Sequence, residues 1–459
     1  MHYISTRNNS KKFIFKDVFL NGLASDGGLF IPDKIPLFSY QDLKNLEILS
    51  YQDLALNIIQ KFCDNEFTEN ELREIIKDSY KNFRNEEVVE TKKIDNFYLL
   101  ELFHGPTLAF KDIALQVIGN MYEKLLKKIN KKINIIVATS GDTGAAAIDA
   151  IKGRKNINIF VLHPKDKISE IQRKLMTTVK ENNVFNIAVE GNFDDCQNLV
   201  KSMFIDNEFK NKINMSGVNS INWARIISQI VYYFYAYFKI KEKGKKINFS
   251  VPTGNFGDVY AGYISKKMGL SINRLIVATN QNDILKKAIN TGQYKIEKVV
   301  QTISPSMDIQ VASNFERLIF DTNSNNDLDI KEKMKNLKEK NFFKIDKNQL
   351  EKIKNNFVSE SLNEKETYNS IKDFYSKYNI ILDPHTAVGY GVLEKISCEG
   401  INVILGTAHP CKFPEAVYKA INLKPDLPKE FSHIISEKEK YDVIENNIEK
   451  IKKAILTKI

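Results

Sequence analysis

The stretch HGPTLAFKD, His104 to Asp112, places Lys111 at the end of an apolar run behind a Gly-Pro turn. In the commoner arrangement such a stem lies along apolar surface with its ammonium in water. Helical continuation through Ile113, Leu115, Val117 and Ile118 would instead hold the amine at the rim of an apolar face. Desolvation there disfavours the ammonium and frees an amine that can act as nucleophile, imine former and base. In ATSGDTGAAAI, the hydroxyls and N–H groups of Ser140, Thr143 and Gly144 stand directly before an alanine-rich helix. Such a helix start suits a carboxylate, although Ser140 and Asp142 serve equally as simple caps. Asp142 would repel a bound carboxylate unless it caps the helix or points away.

In VPTGNFGDVYAGY, Gly254, Asn255, Phe256 and Gly257 separate a strand from a helix starting near Asp258. Backbone N–H groups converging in such a turn accept a phosphate, and a ligand-free turn carries the same signature. The loop has neither the lysine of a Walker motif nor the spacing of a dinucleotide fingerprint. A fourth polar loop, GTAHP, carries Thr407.

These loops need strands to hold them. From Phe97 onward, short apolar runs (FYLLELF, INIIVATS, INIFVLHP, VFNIAVEG, KINFSVPTG, RLIVATN, NVILGTAHP) alternate with stretches of helical spacing. That alternation predicts parallel sheets covered by helices, an α/β class whose ligands sit beyond the carboxyl ends of the strands. Four of the runs end in the loops above. Residues 1–95 read as an N-terminal, mainly helical accessory region, with helices around Tyr51 to Phe62 and Glu69 to Phe83 and a turn-rich SDGGLFIPDKIP. Residues 96–230 read as a smaller α/β unit carrying Lys111 and the carboxylate loop. Residues 231–459 read as a larger unit with the phosphate loop and an exposed insertion near 321–347, the two borders being open to interleaving.

Composition narrows the function classes. A net charge of +10 invites nucleic acid, but the lysines are dispersed and only eight of 67 basic residues are arginine, which predicts a solvated surface and no nucleic-acid partner. The greasiest segment, IISQIVYYFYAYFKI, is shorter than a membrane span and reads as a buried helix. Cys63, Cys196, Cys398 and Cys411 form no zinc pattern, so no metal is expected and a reducing, cytoplasmic setting is.

A phosphate cradle, a carboxylate-binding helix start and a desolvated lysine are together the parts for pyridoxal 5'-phosphate acting on an amino acid. The blocks YISTR, SDGGLFIP, ELFHGPTLAFKD, ATSGDTG, NSINWARI, VPTGNFGDVYAGY, SPSMDIQVASNFERL and GTAHPCKFPEA resemble, in order, those of the threonine synthase family in its longer microbial and fungal form. The resemblance runs from Tyr3 to about Tyr418. It implies two parallel-sheet α/β units of pyridoxal phosphate fold type II, and conversion of O-phospho-L-homoserine and water to L-threonine and phosphate. It further implies Lys111 as Schiff-base lysine, Gly254 to Gly257 with Asp258 as the cofactor-phosphate loop, and Thr407 against the cofactor ring. Ser140, Thr143 and Gly144 are then expected at the substrate carboxylate, and Ser220, Asn222 and Arg225 at its phosphate, with Arg225 equally readable as a structural ion pair. A monomer or homodimer is expected. His104, His385 and His409 stay unassigned. A related dehydratase, a binding protein that has lost catalysis and a basic RNA-binding module are the competing readings.

Overall fold

The computed structural model describes residues 1–459 apart from 64, 241, 243 and 244. All seven apolar runs are strands, and they divide between two sheets. The larger sheet has the order Phe357–Ser361, Ile272–Thr279, Ile247–Pro252, Ile401–Gly406, Phe97–Glu101, Glu90–Ile94. Only the last pairing is antiparallel. The smaller sheet is parallel throughout, in the order Asp442–Glu445, Val184–Glu190, Ile157–Pro164, Ile133–Ala138, Met215–Ser216. Central strands such as Ile247–Pro252 are buried along their whole length, as expected for parallel strands covered on both faces.

Sheet membership does not follow chain order. The Phe97–Glu101 strand, which leads to Lys111, lies in the larger sheet beside Ile401–Gly406, while Asp442–Glu445 crosses back to the smaller one. Lys111 is therefore positioned by the sheet that also carries the Gly254 loop, and the smaller sheet brings the Ser140 loop to it.

The first 95 residues hold the two expected helices, Tyr51–Cys63 and Glu69–Tyr80. They also form a three-stranded antiparallel sheet of Tyr3–Ser5, Asn8–Phe13 and Phe30–Pro32. Phe30 to Pro32 belongs to the segment read as a turn-rich loop; its side chains are buried, and burial on this short strand outweighs the surrounding turn residues. The greasy segment is the Trp223–Ile240 helix, with Trp223, Ile230 and Tyr233 fully buried. No helix among the described residues is long and apolar enough to cross a membrane. The segment read as an insertion contains the Asp327–Lys340 helix, largely exposed but anchored by Ile330 and Leu337.

Candidate active site

A cavity of about 640 Å³ opens between the two sheets. Lys111, Ser140, Thr143, Ser220, Arg225, Asn255, Asp258 and Thr407 are among its lining residues. Lys111 is the first residue of the Lys111–Ile129 helix. The turn before it is locked by its own side chains: Thr107 donates its N–H and hydroxyl to the Asp112 carboxylate at 2.8 and 2.5 Å. Gly105 is required here, because a Cβ would meet the Asp112 side chain at 2.4 Å. Leu108, buried, adopts a left-handed φ of 61°, a costly conformation for a bulky residue, and it turns the chain into the helix. Phe110 N–H then bonds to the Thr407 carbonyl at 2.9 Å, and His409 N–H to the Leu108 carbonyl at 3.0 Å. Two loops distant in sequence thus fix Lys111 relative to Thr407.

The phosphate loop is a cradle. Phe256 has φ 64°, and Gly257 opens the Gly257–Lys267 helix. The N–H groups of Gly254, Asn255 and Phe256 have no acceptor among the described residues. A Cβ on Gly254 would strike the Ser306 carbonyl at 2.5 Å, so only glycine allows this approach. Free donors at a helix start fit the phosphate of pyridoxal 5'-phosphate, with Lys111 and Thr407 across the same cavity.

Arg225 is buried, and no carboxylate pairs with it among the described residues. Among the described residues the guanidinium's one hydrogen bond is a 3.5 Å contact to the Val218 carbonyl. Burial pushes the guanidinium down to about 10, against the pull of Tyr232 and Asp258. Gln229, one turn further along the same helix, has a buried Oε1 without a partner, as does Asp258 at Oδ2. Asp258 Oδ1 takes the hydroxyls of Tyr232 and Tyr233 at 2.5 and 2.9 Å. Burial raises its carboxyl to about 6.

Two expected site residues point elsewhere. Gly144 donates its N–H to Thr139 Oγ1 at 2.8 Å, as Gly141 does at 3.0 Å, so Thr139 organises the loop and Gly144 has no free donor. Asn222 accepts from Ala224 N–H and donates to the Phe19 carbonyl, which spends it on the helix start and the N-terminal region. Neither lines the cavity.

Asp142 neither caps its helix nor turns away. Its Oδ2 lies 3.3 Å from Lys111 Nζ, and its Oδ1 lies 2.7 Å from Lys412 Nζ and 2.9 Å from Gln172 Nε2. Burial opposes the charge, but Lys412, Lys111 and His385 hold the carboxyl well below its usual range. Burial pulls Lys111 below the ordinary lysine range, with Asp142 opposing. Ser306 Oγ lies 3.5 Å from both Lys111 Nζ and Asp142 Oδ2. His385 lines the cavity with its ring held by Asp383 at 2.9 Å, and its Nε2 accepts from Ser306 N–H. His104 lies against Glu101, and His409 is kept neutral by burial, down to about 4. Lys412 and Gln172 gave no signal in the sequence, because their partners are remote along the chain, and Gln229 gave none because its Oε1 has no partner among the described residues.

A buried lysine and a phosphate cradle at the mouths of parallel strands define a pyridoxal phosphate-dependent enzyme, and residues 84–403 match the family of that description, "Pyridoxal-phosphate dependent enzyme". Residues 2–80 match "Threonine synthase N terminus" and 386–455 match "Threonine synthase, C-terminal". Threonine synthase from Pseudomonas aeruginosa is 41% identical over 455 residues, covering 98% of this chain and 97% of the relative. That from Saccharomyces cerevisiae is 42% identical, covering 99% and 97%. The crystal structure of pyridoxal phosphate-bound threonine synthase from Brucella melitensis superposes with a TM-score of 0.96 at 42% identity, covering 100% of this chain and 99% of that one. The yeast structure gives 0.94 at 40%, covering 100% and 98%. The chain belongs to the threonine synthase family. Its fold is pyridoxal phosphate fold type II, and its activity is that of a cofactor-dependent lyase in threonine biosynthesis.

Proposed function

We propose that this cavity converts O-phospho-L-homoserine and water to L-threonine and phosphate, with Lys111 holding the cofactor and moving protons, and Arg225 holding the substrate phosphate. Bound there, pyridoxal phosphate supplies an electron sink for the charge left when the substrate loses a proton. Gly254, Asn255, Phe256 and Gly257 would hold its phosphate, with Asp258 at the edge of that loop, and Thr407 would contact its ring.

The hydroxyls of Ser140 and Thr143, at the start of a helix, take the substrate carboxylate and so orient Cα toward Lys111. Lys111, whose ammonium form burial disfavours, takes the Cα proton and later returns it. Ser220 and Arg225 bind the phosphate at the other end of the substrate and retain it as it departs from Cγ. A proton leaves Cβ as the Cγ–O bond breaks, one returns to Cγ, and the water that adds at Cβ releases another; Lys111 and the departing phosphate carry these protons, so no further base is needed. Closure of the cavity excludes bulk water and admits the one molecule that adds at Cβ.

The observation that supports this reading is the unpaired guanidinium of Arg225. A buried cation that faces a cavity and pairs with no carboxylate among the described residues is unfavourable unless an anionic ligand completes it. Arg225→Ala should raise KM for O-phospho-L-homoserine roughly 10- to 100-fold while cofactor retention changes little. Equal loss of both would make the arginine structural. The four cysteines form no disulfide, which supports the cytoplasmic assignment, and the assembly we propose is a monomer or homodimer.

A further inference from the structure

Lys412 is the buried charge in this site that the roles above leave unused. Its side chain has no exposed surface, and its Nζ donates to the Thr107 carbonyl at 2.8 Å and pairs with Asp142 Oδ1 at 2.7 Å. Thr107 belongs to the turn that presents Lys111, so Lys412 is tied to both sides of the site. Gln172 Nε2 adds a second bond to the same oxygen of Asp142. One carboxylate therefore stands between two ammonium groups, Oδ1 committed to Lys412 and Gln172, Oδ2 left to Lys111. An amide at position 142 would neutralise neither lysine.

We propose that Lys412 is a positioning residue for Lys111: by claiming one oxygen of Asp142 it aims the other at the lysine amine and weakens the carboxylate's hold on that amine's proton. The inference deepens the reading of Lys111 as the proton-moving group and rests on it. Alone at 3.3 Å, a buried carboxylate would favour the ammonium and leave little free amine. A second cation on the far side of the carboxylate counteracts that pull.

The charges around Lys111 come from every neighbouring element. They are Asp142 at the start of its helix, Lys412 in the Pro410–Lys412 turn, Arg225 in the Trp223–Ile240 helix and Asp258 in the Gly257–Lys267 helix, with His385 facing Asp142. Burial lowers Lys111 most; Asp142 raises it, and Lys412 and Arg225 lower it. Asp142 and Lys412 thus act on Lys111 with opposite sign, and Asp142 acts more strongly.

The test uses four holoenzymes: wild type, Lys412→Met, Asp142→Asn and the double variant. The readouts are the acid limb of kcat against pH, because Lys111 carries a free amine only once substrate has taken its place on the cofactor, and the pH titration of the resting enzyme's visible absorbance. Substrate titrations are common to all four enzymes. A base must be deprotonated to work, so a higher Lys111 pKa moves the acid limb to higher pH. Lys412→Met should move it up by about one pH unit, and Asp142→Asn should move it down. The double variant should fall between Asp142→Asn and wild type, and the absorbance titration should follow the same order. It should also melt above either single variant, because removing both charges leaves no lone buried ion.

A Lys412→Met enzyme that folds, retains cofactor and keeps the wild-type limb overturns the proposal and leaves Lys412 a structural residue. Should that variant fail to fold, the double variant decides: a limb above that of Asp142→Asn supports the coupling, and a limb at or below that of Asp142→Asn overturns it. Lys111→Ala separates the two failures. If it abolishes turnover while the limbs stay fixed, only the role of Lys412 falls; if it stays active, the assignment of Lys111 falls as well.

Discussion

Lys111 is 8% exposed as a residue and has Asp142, Ser306 and the Phe110 ring as neighbours, surroundings that a solvent-facing lysine does not have. Lys111→Ala should abolish turnover and the visible absorbance of the bound cofactor, and borohydride reduction followed by mass spectrometry should find no adduct at this position. A yellow, active variant would contradict the assignment. Asp258 gives a pH prediction. Its folded carboxyl titrates at about 6, above its ordinary value near 4, so the folded protein keeps this proton to higher pH than the unfolded chain does. The contribution to stability is complete below about pH 4 and is lost as pH rises through 6, on the order of 2–3 kcal/mol. Asp258→Asn keeps an acceptor for Tyr232 and Tyr233 but does not titrate. The melting temperature of the cofactor-free variant should fall less than that of wild type between pH 4 and 7, and identical slopes would place the titration elsewhere. At this scale the sequence announced what a local motif can announce. Lys111, the Gly254 loop and Thr407 each sit where a strand gives way to a polar loop, and the cavity contains them. The pairing of Asp142 with Lys412 was not legible, because it joins two loops that only the tertiary fold brings together. Asn222 and Gly144 misled because a small polar residue at a helix start satisfies the helix before it satisfies a ligand.

Among the elements, the strands visible in the sequence were those whose apolar runs reflect burial on both faces. In the two α/β sheets the missed ones lie at edges, whereas Tyr3–Ser5, central in the N-terminal sheet, is only three residues long. Glu90–Ile94 and Asp442–Glu445 are mostly half-buried or exposed, so a charged segment such as ETKKI shows no apolar alternation. Phe357–Ser361 closes the other side of the larger sheet, with Phe357 and Ser359 inward in only five residues. The phosphate loop shows how an element's start becomes a binding site. The Gly257–Lys267 helix begins at the cradle, and the Pro305–Met307 turn packs against Gly254 so closely that no side chain fits between them. Gly254→Ala should displace either the loop or Ser306 and so weaken cofactor binding about 10-fold or more, while far-ultraviolet circular dichroism stays near wild type. Reconstitution of the cofactor-free variant with pyridoxal phosphate, followed by its absorbance, measures this. Wild-type affinity would mean that the cradle is not where the phosphate binds.

For the molecule as a whole, the N-terminal 95 residues look detachable in sequence because their helices precede the strand–helix alternation. The packing argues otherwise. Tyr3 packs edge-on and Phe62 tilted against Trp223, Phe19 lies against Tyr122, and Tyr51 and Tyr80 pack together beside Tyr235. All of these belong to one continuous core that also contains strands of both sheets. Polar ties cross the same boundary: Arg7 and Thr6 bind Glu316, and Arg317 Nε donates to the Phe30 carbonyl at 2.9 Å. The helix they cover, Trp223–Ile240, carries Arg225 and Gln229 into the cavity on one side and holds this apolar interface on another. A chain starting at residue 90 would expose Trp223, Tyr122 and Tyr235 together, an apolar surface larger than an isolated soluble protein tolerates. It should be insoluble or lack a cooperative thermal transition, and adding the separate 1–89 segment during refolding should recover soluble protein. If the shortened chain instead stayed soluble, melted cooperatively and bound pyridoxal phosphate, the first 89 residues would be an accessory and the core would be complete without them.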